Sequence, residues 1–326
     1  MAGLAAGDSA GRTGPPDGTI AVLGEALIDV VETGDDEPRL ARPGGGPYNV
    51  AIGLARLGRP TSFVGRFSSD PLGSILRRHA ERSDVDLSLS VAAREATTVA
   101  LVELVDGIAE YRFGVDSTAD FRWTDAELAP LPALLAALHF GSLTSWLPPG
   151  DAVVLRKVAE LREHVLVSYD PNVRPRLQTD RDRARQQVED AVRLADLVKT
   201  SDEDLAWVRP GEDVDDVARS WLELGASLVV VTRGPDGSVA HTRDGAIRRP
   251  VLPVEVADTV GAGDAFMSGL LDSLARRGLL DRARLAGDLD ALGPVLEDAA
   301  LVAGITCSRA GANPPRTAEL AARAGQ

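Results

Sequence analysis

The chain has 326 residues, a formal net charge of -14 and 44% hydrophobic residues, which suits one large α/β domain with a small appendage. So acidic a chain lacks the clustered Lys and Arg that nucleic acid or an anionic membrane requires, and any phosphate site in it has to be local, made by backbone amides, a few cations and a metal. The single cysteine, Cys307, excludes an internal disulfide and a Cys-rich metal site, and the four histidines stand too far apart for a histidine-ligated zinc.

Residues 1–18 are rich in Gly, Ala and Pro. They lack the basic start and apolar run of a secretory signal and read as a disordered tail. Residues 19–320 read as the folded domain. No segment has the roughly 18 uninterrupted apolar residues that span a bilayer, so the expectation is a soluble, cytoplasmic protein.

Short apolar runs at Ile20–Leu23, Ser62–Val64, Leu138–Gly141, Val165–Tyr169, Asp196–Val198 and Ser227–Thr232 read as strands. Several are continuous rather than alternating, as in strands buried on both faces of a parallel sheet. Helical stretches lie between them: Tyr48–Leu57, Leu72–Glu81, Ala126–Ala137, Ala152–Glu163, Asp182–Leu194, Val214–Leu224 and Asp264–Arg276. This alternation predicts a three-layer, doubly wound, mostly parallel α/β core. Two segments break the rhythm, at about 26–41 and 97–121. The second holds β-prone runs on either side of Asp106-Gly107, a hairpin signal. Together they read as a small β-sheet lid over a cleft, and its sheet edges suit pairing with a second subunit as a homodimer.

The most informative stretch is Asp258-Thr259-Val260-Gly261-Ala262-Gly263-Asp264, followed by apolar residues at helical spacing. Gly261, Ala262 and Gly263 then sit at a helix N-terminus, where amides lack intrahelical partners and the dipole is positive. Small residues let a phosphate come close to those amides. Asp264 beside such a cradle can take the proton that a hydroxyl loses as it attacks a phosphoryl group. An acid in a first helical turn is favoured by the dipole in any case, but that does not account for the glycines before it. A Gly-x-x-x-x-Gly-Lys loop is absent, and the later glycine of a dinucleotide fingerprint is missing.

With these residues in view, the sequence resembles the ribokinase-like, or PfkB, family of carbohydrate kinases. The match is carried by the Asp258–Asp264 motif and by Gly44-Gly45-Gly46-Pro47-Tyr48-Asn49. Gly24–Asp29, Asp170-Pro171-Asn172-Val173-Arg174 and Val231–Gly237 match in the same order, and the resemblance runs from Ile20 to Pro315. It implies a phosphotransferase using ATP on a sugar hydroxyl, on a sheet sandwiched by helices with a small β lid. It implies that Asp29, Gly45, Gly46 and Asn49 line the sugar pocket. Taken alone, the glycine run reads as a turn into the helix near Tyr48. On the nucleotide side it implies Asn172, Arg174, Ser201, Thr232, Gly234, Gly237 and Asn313, the last near adenine or ribose. Many members organise Mg²⁺ through water with an Asn/Ser-x-x-Glu element. Here that stretch is Ser201-Asp202-Glu203-Asp204, with the shorter Asp204 at its end. The resemblance also implies K⁺ at the Asp258 carboxylate and the Val260 carbonyl. The local text is most similar to fructokinases, then to 2-keto-3-deoxygluconate kinases, whose carboxylate-bearing substrate would want a cation such as Arg112. A sugar- or nucleotide-binding protein without catalysis is the reading of another class, since fold does not fix function.

Overall fold

The computed structural model describes residues 18–31, 40–105, 108–132, 134–285 and 289–324, with the backbone alone at 31, 40, 102–105, 108–113, 323 and 324. The expected N-terminal tail up to residue 17 and the Asp106-Gly107 turn therefore lie outside the described residues.

The strands, in chain order, are β1 (Ile20–Leu23), β2 (Leu27–Val31), β3 (Leu40–Gly44), β4 (Thr61–Val64), β5 (Arg66–Ser68), β6 (Val91–Ala93), β7 (Val99–Val105) and β8 (Ile108–Gly114). They continue with β9 (Ala137–Gly141), β10 (Leu166–Asp170), β11 (Leu197–Ser201), β12 (Leu228–Thr232), β13 (Ser238–Thr242) and β14 (Gly245–Arg249). The large sheet has the order β14-β13-β12-β11-β10-β9-β1-β4. It is parallel from β12 to β4, and β13 and β14 add an antiparallel edge.

The apolar strands explain the layering. Successive side chains of a strand point to opposite faces. In β1, Ile20 and Val22 join one core, with Leu54, Met267, Leu270 and Leu296, while Ala21 and Leu23 join another, with Val158, Val192 and Trp221. A strand that is apolar at every position is thus buried from both sides, and the molecule has helices above and below the sheet. On the first side the helices Ala262–Arg276 and Leu289–Cys307 pack so closely that a side chain at Gly269 would lie 2.9 Å from the Ala299 Cα.

One predicted helix is corrected. Among the described residues of the Ala126–Ala137 stretch the helix is confined to Asp125–Leu128, started by a Thr124–Glu127 capping box. Pro130 and Pro132 lack the N–H that would continue it, and the apolar residues from Ala137 onward instead form β9 in the sheet centre. The antiparallel strands β13 and β14 and the helix Leu289–Cys307 were not among the predicted elements.

A second sheet, of order β3-β2-β7-β8, stands apart from the large one, with β2 and β7 parallel and the outer pairs antiparallel. It meets the body at a small apolar cluster of Leu27, Ala100, Phe121, Leu143 and Trp146, and through Ile28 of β2, which lies in the main core. Among the described residues no helix is long and apolar enough to cross a membrane.

Candidate active site

In open parallel sheets, ligands bind beyond the carboxyl ends of the strands. A cleft of about 150 Å³ opens there, between the small sheet and the carboxyl edge of the large one. Glu25 follows β1, Asp29 lies on β2, Ser142 follows β9, Asn172 and Arg174 follow β10, and Lys199 lies on β11. The opposite wall is the turn Thr259–Asp264.

That turn is shaped by its glycines. Gly261 caps the helix Ala262–Arg276 in the left-handed region, at φ 75°, and a Cβ on it would lie 2.5 Å from the Ala312 Cβ. Only glycine fits without displacing a neighbour. The loop before it is fastened by Asp258, whose carboxylate accepts the N–H groups of Val260 (3.0 Å) and Gly311 (2.7 Å). Gly263 and Asp264 then occupy the first helical turn, with amides at the positive end of the dipole.

Asp264 is half-buried at this end and accepts a hydrogen bond from the Asn49 Nδ2, 2.9 Å away. Burial pushes its carboxyl up to about 6; the Asn49 bond and Lys199 hold it down, Asp170 pushes it up and Arg174 holds it down. Asn49 projects from the helix Gly46–Arg56, whose N-cap Gly45 has φ 110° and faces the Glu25 carbonyl, 2.5 Å from where a Cβ would stand. The neighbouring glycines give clearance. A Cβ on Gly46 would come within 2.6 Å of the Asn172 Nδ2 and 3.5 Å of an Asp264 carboxylate oxygen. One on Gly44 would strike the Asp29 carboxylate. Asp29 itself is pushed up to about 7 by burial, opposed by Arg174 and reinforced by Asp264. Asp29, Gly45, Gly46, Asn49, Asn172, Arg174, Val260, Gly261, Ala262, Gly263 and Asp264, named from the sequence, are thus brought together in one cleft.

Other residues named from the sequence sit around this group. Ser201 and Thr232 are direct neighbours across β11 and β12, at the strands' carboxyl ends. Ser201 caps the next helix by accepting the Asp204 N–H. Gly234 and Gly237, with φ of 47° and 85°, turn β12 into β13. The Asp204 carboxylate accepts the Val173 N–H and is pushed up to about 6 by burial and by Asp170. The Asn313 carboxamide oxygen is held by Arg56 at 2.6 Å. The Arg112 side chain lies outside the described residues.

The structure adds groups that the sequence did not single out. Lys199, 5% exposed, donates to Asp170 at 2.7 Å and stands 3.0 Å from where a Cβ on Gly263 would be. Burial alone would lower its ammonium, but Asp170, Asp264 and Asp204 hold it above its ordinary value. It is a fixed cation against the amide cradle. The other Asp170 oxygen is buried without a hydrogen-bond partner. Glu25 is buried too and accepts from the Thr144 hydroxyl at 3.0 Å. Lys199 stands two residues ahead of the Ser201–Asp204 element and Asp170 opens the Asp-Pro-Asn run, so both were in view, but the ion pair joining them is a tertiary contact between neighbouring strands.

The arrangement presents an anion cradle, a half-buried carboxylate beside it, fixed cations, and polar groups opposite for a hydroxylated ligand. The sequence pattern of the pfkB family carbohydrate kinases matches residues 17–318. A fructokinase of Rhizobium leguminosarum bv. trifolii is 38% identical over 274 residues, covering 82% of this chain and 83% of its own length. A fructokinase from Xylella fastidiosa solved with bound ATP superposes with a TM-score of 0.84 at 28% identity, covering 94% of this chain and 98% of that one. A double mutant of a Vibrio cholerae O395 fructokinase, solved in fructose-, ADP- and potassium-bound form, superposes with a TM-score of 0.83 at 26% identity, covering 95% and 99%.

Proposed function

This chain belongs to the pfkB family of carbohydrate kinases, and we propose that its sugar is fructose, phosphorylated from ATP with Asp264 as general base. It is a phosphotransferase acting on a sugar hydroxyl. The observation that carries the mechanism is Asp264 at a glycine-lined helix N-terminus, held by Asn49 and sharing its cleft with Asp29. The choice of fructose is supported by the fructokinases to which the chain is similar.

In this reading Asp29 and Asn49 grip the sugar hydroxyls, and the bare backbone of Gly45 and Gly46 lets the ring approach. The hydroxyl that attacks loses its proton to Asp264. The Gly261–Gly263 amides receive the negative charge of the transferring group, with Lys199 and Arg174 as cations beside it. ATP phosphates then lie between this turn and the carboxyl ends of β10, β11 and β12, toward Ser201, Thr232, Gly234 and Gly237, with Asn313 on the base side. The donor set fits Mg²⁺ held through water, by Asp204 and by the Asp170 oxygen that has no partner. Such an ion would neutralise charge on the phosphates. The Asp258 carboxylate spends one bond per oxygen on backbone N–H groups and keeps lone pairs for K⁺ beside the Val260 carbonyl. The small sheet acts as a lid, and its edge strands β3 and β8 suit a homodimer. The enzyme works in the cytoplasm.

One coupled assay of fructose, 2-keto-3-deoxygluconate, ribose and adenosine tests the assignment. Fructose is expected to have the highest kcat/KM, and a higher value for any other acceptor overturns it. Asp264→Asn should lower kcat about 10²- to 10⁴-fold while fructose still binds; near-normal turnover would remove Asp264 from the base role.

A further inference from the structure

Beside the cleft, but outside its wall, is a buried carboxylate the reaction does not use. Asp120 is 1% exposed and lies in a short helical turn, Ala119–Phe121, just after the second excursion of the chain into the small sheet. This turn is fixed to the body. Arg66 on β5 is itself buried and donates to the Ala119 carbonyl at 2.7 Å, and Phe121 packs against Leu143 and Trp146.

From this fixed point Asp120 holds two other passages between body and small sheet. One of its oxygens accepts the Ala26 N–H at 3.0 Å, where the chain leaves β1 for β2. The other accepts the Thr98 hydroxyl, where the chain enters β7. The Thr98 hydroxyl also meets that of Thr118 at 2.8 Å, and the Thr98 carbonyl accepts the Ile28 N–H at 3.0 Å. Asp120 therefore ties the starts of the two parallel central strands, β2 and β7, to the body, and at β7 the Asp70 carboxylate shares the work by accepting the Thr97 N–H at 2.8 Å and its hydroxyl at 2.7 Å. Asp29 stands three residues beyond Ala26, about 10 Å along an extended chain. A rotation of about 10° at Ala26 would move it by roughly 2 Å, and a misplacement of about 1 Å at a reacting centre costs on the order of 10²-fold in rate.

We propose that Asp120, through Ala26 and Thr98, is a positioning residue that sets the angle of the small sheet and so places Asp29 opposite Asp264. This rests on the reading that Asp29 contacts the sugar. Alanine at this position would leave the buried Ala26 N–H and Thr98 hydroxyl without their acceptor. Asparagine can still accept from Ala26 and, by donating to the Thr98 oxygen, turn the hydroxyl chain around through Thr118 to the Val115 carbonyl.

The test compares Asp120→Ala, Asp120→Asn, Thr98→Val and Asp29→Ala by full kinetics in fructose and in ATP, with Tm measured in parallel. Asp120→Ala is expected to lower kcat/KM for fructose about 100-fold while KM for ATP changes less than about twofold. Thr98→Val, which loses one hydrogen bond, is expected to lower it about tenfold, and Asp120→Asn to remain near wild type. If Asp120→Ala does not fold, Thr98→Val decides alone. Lower Tm with an unchanged fructose kcat/KM, or a rise in KM for ATP as large as the loss in fructose kcat/KM, overturns the inference. Asp29→Ala separates the two readings: if it leaves fructose kinetics untouched, the assignment of the sugar site fails instead.

Discussion

Asp264 carries a pH prediction. Burial raises its carboxyl to about 6, so below that pH the base is increasingly protonated and cannot accept the hydroxyl proton. The kcat/KM profile for the sugar should fall about tenfold per pH unit on its acid side, with the break near pH 6. A break near 4 would mean that the free enzyme's base is not held as this cleft holds it. The same shift makes a stability statement of opposite sense. A folded pKa above the ordinary 3.8 means the fold favours the protonated acid. The contribution is therefore fully present below about 4 and is lost as pH rises through about 6. Asp264→Asn mimics the protonated form, so it should raise Tm at pH 7.5, with the gain vanishing toward pH 4. Asp264 and its glycines were legible because a helix N-terminal motif is local in sequence. The Lys199–Asp170 pair and the Asp120 tie were not, because each joins segments far apart in the chain: Lys199 and Asp170 are 29 residues apart, and Asp120 and Ala26 are 94 apart. No spacing rule reports such contacts. Arg112, on which the sequence hung the choice of sugar, is a position whose side chain lies outside the described residues.

At the scale of the element, the two glycines of the cradle should respond oppositely to one methyl group. Gly261 has φ 75° and would place a Cβ 2.5 Å from Ala312. Gly261→Ala should therefore lower stability by about 1–3 kcal/mol, from backbone strain alone. Gly263 lies in the helix without a positive φ, and its Cβ would approach the Lys199 ammonium at 3.0 Å. Alanine there suits a helix better than glycine, so Tm should hold or rise. The methyl group would push on the cation beside the cradle, so kcat should fall roughly 10- to 100-fold. Thermal melts and kcat on the two variants check this, and a Gly263→Ala enzyme with full turnover would show that the Lys199 position does not matter. The element scale was also where sequence reading did best. Strands β1, β9, β10 and β12 and the helix Val214–Leu224 announce themselves through buried apolar periodicity. Reading failed where periodicity misleads. Leu131–Ala137 looks helical by composition, yet Pro130 and Pro132 deny it the backbone donors. The helix Leu289–Cys307 carries Pro294 and is apolar nearly all round, so it presents no stripe to recognise.

At the scale of the whole molecule, the small sheet is joined to a large, two-sided core by short passages tied by the Asp120 and Asp70 carboxylates, and by apolar contacts that include Ile28 and Val30 against the main core. A sheet held at its passages and along β2 suits a lid whose position responds to what lies beneath it. Sugar bound between Asp29 on the small sheet and Asp264 on the body would bridge the two. Any opening that separates them must then release the ligand. At a fructose concentration of about 100 times Kd the bound state gains about 2.7 kcal/mol, so amide exchange through such openings should slow about 100-fold. Hydrogen exchange followed by mass spectrometry, with fructose and a non-hydrolysable ATP analogue, should show this slowing in peptides covering 24–31 and 97–105. The strands β13 and β14, at the far edge of the large sheet, should be unaffected by sugar alone. Slowing confined to the Gly261–Asp264 turn, with the small sheet exchanging as before, would mean that ligand sits on the body alone and that the second sheet is not a lid.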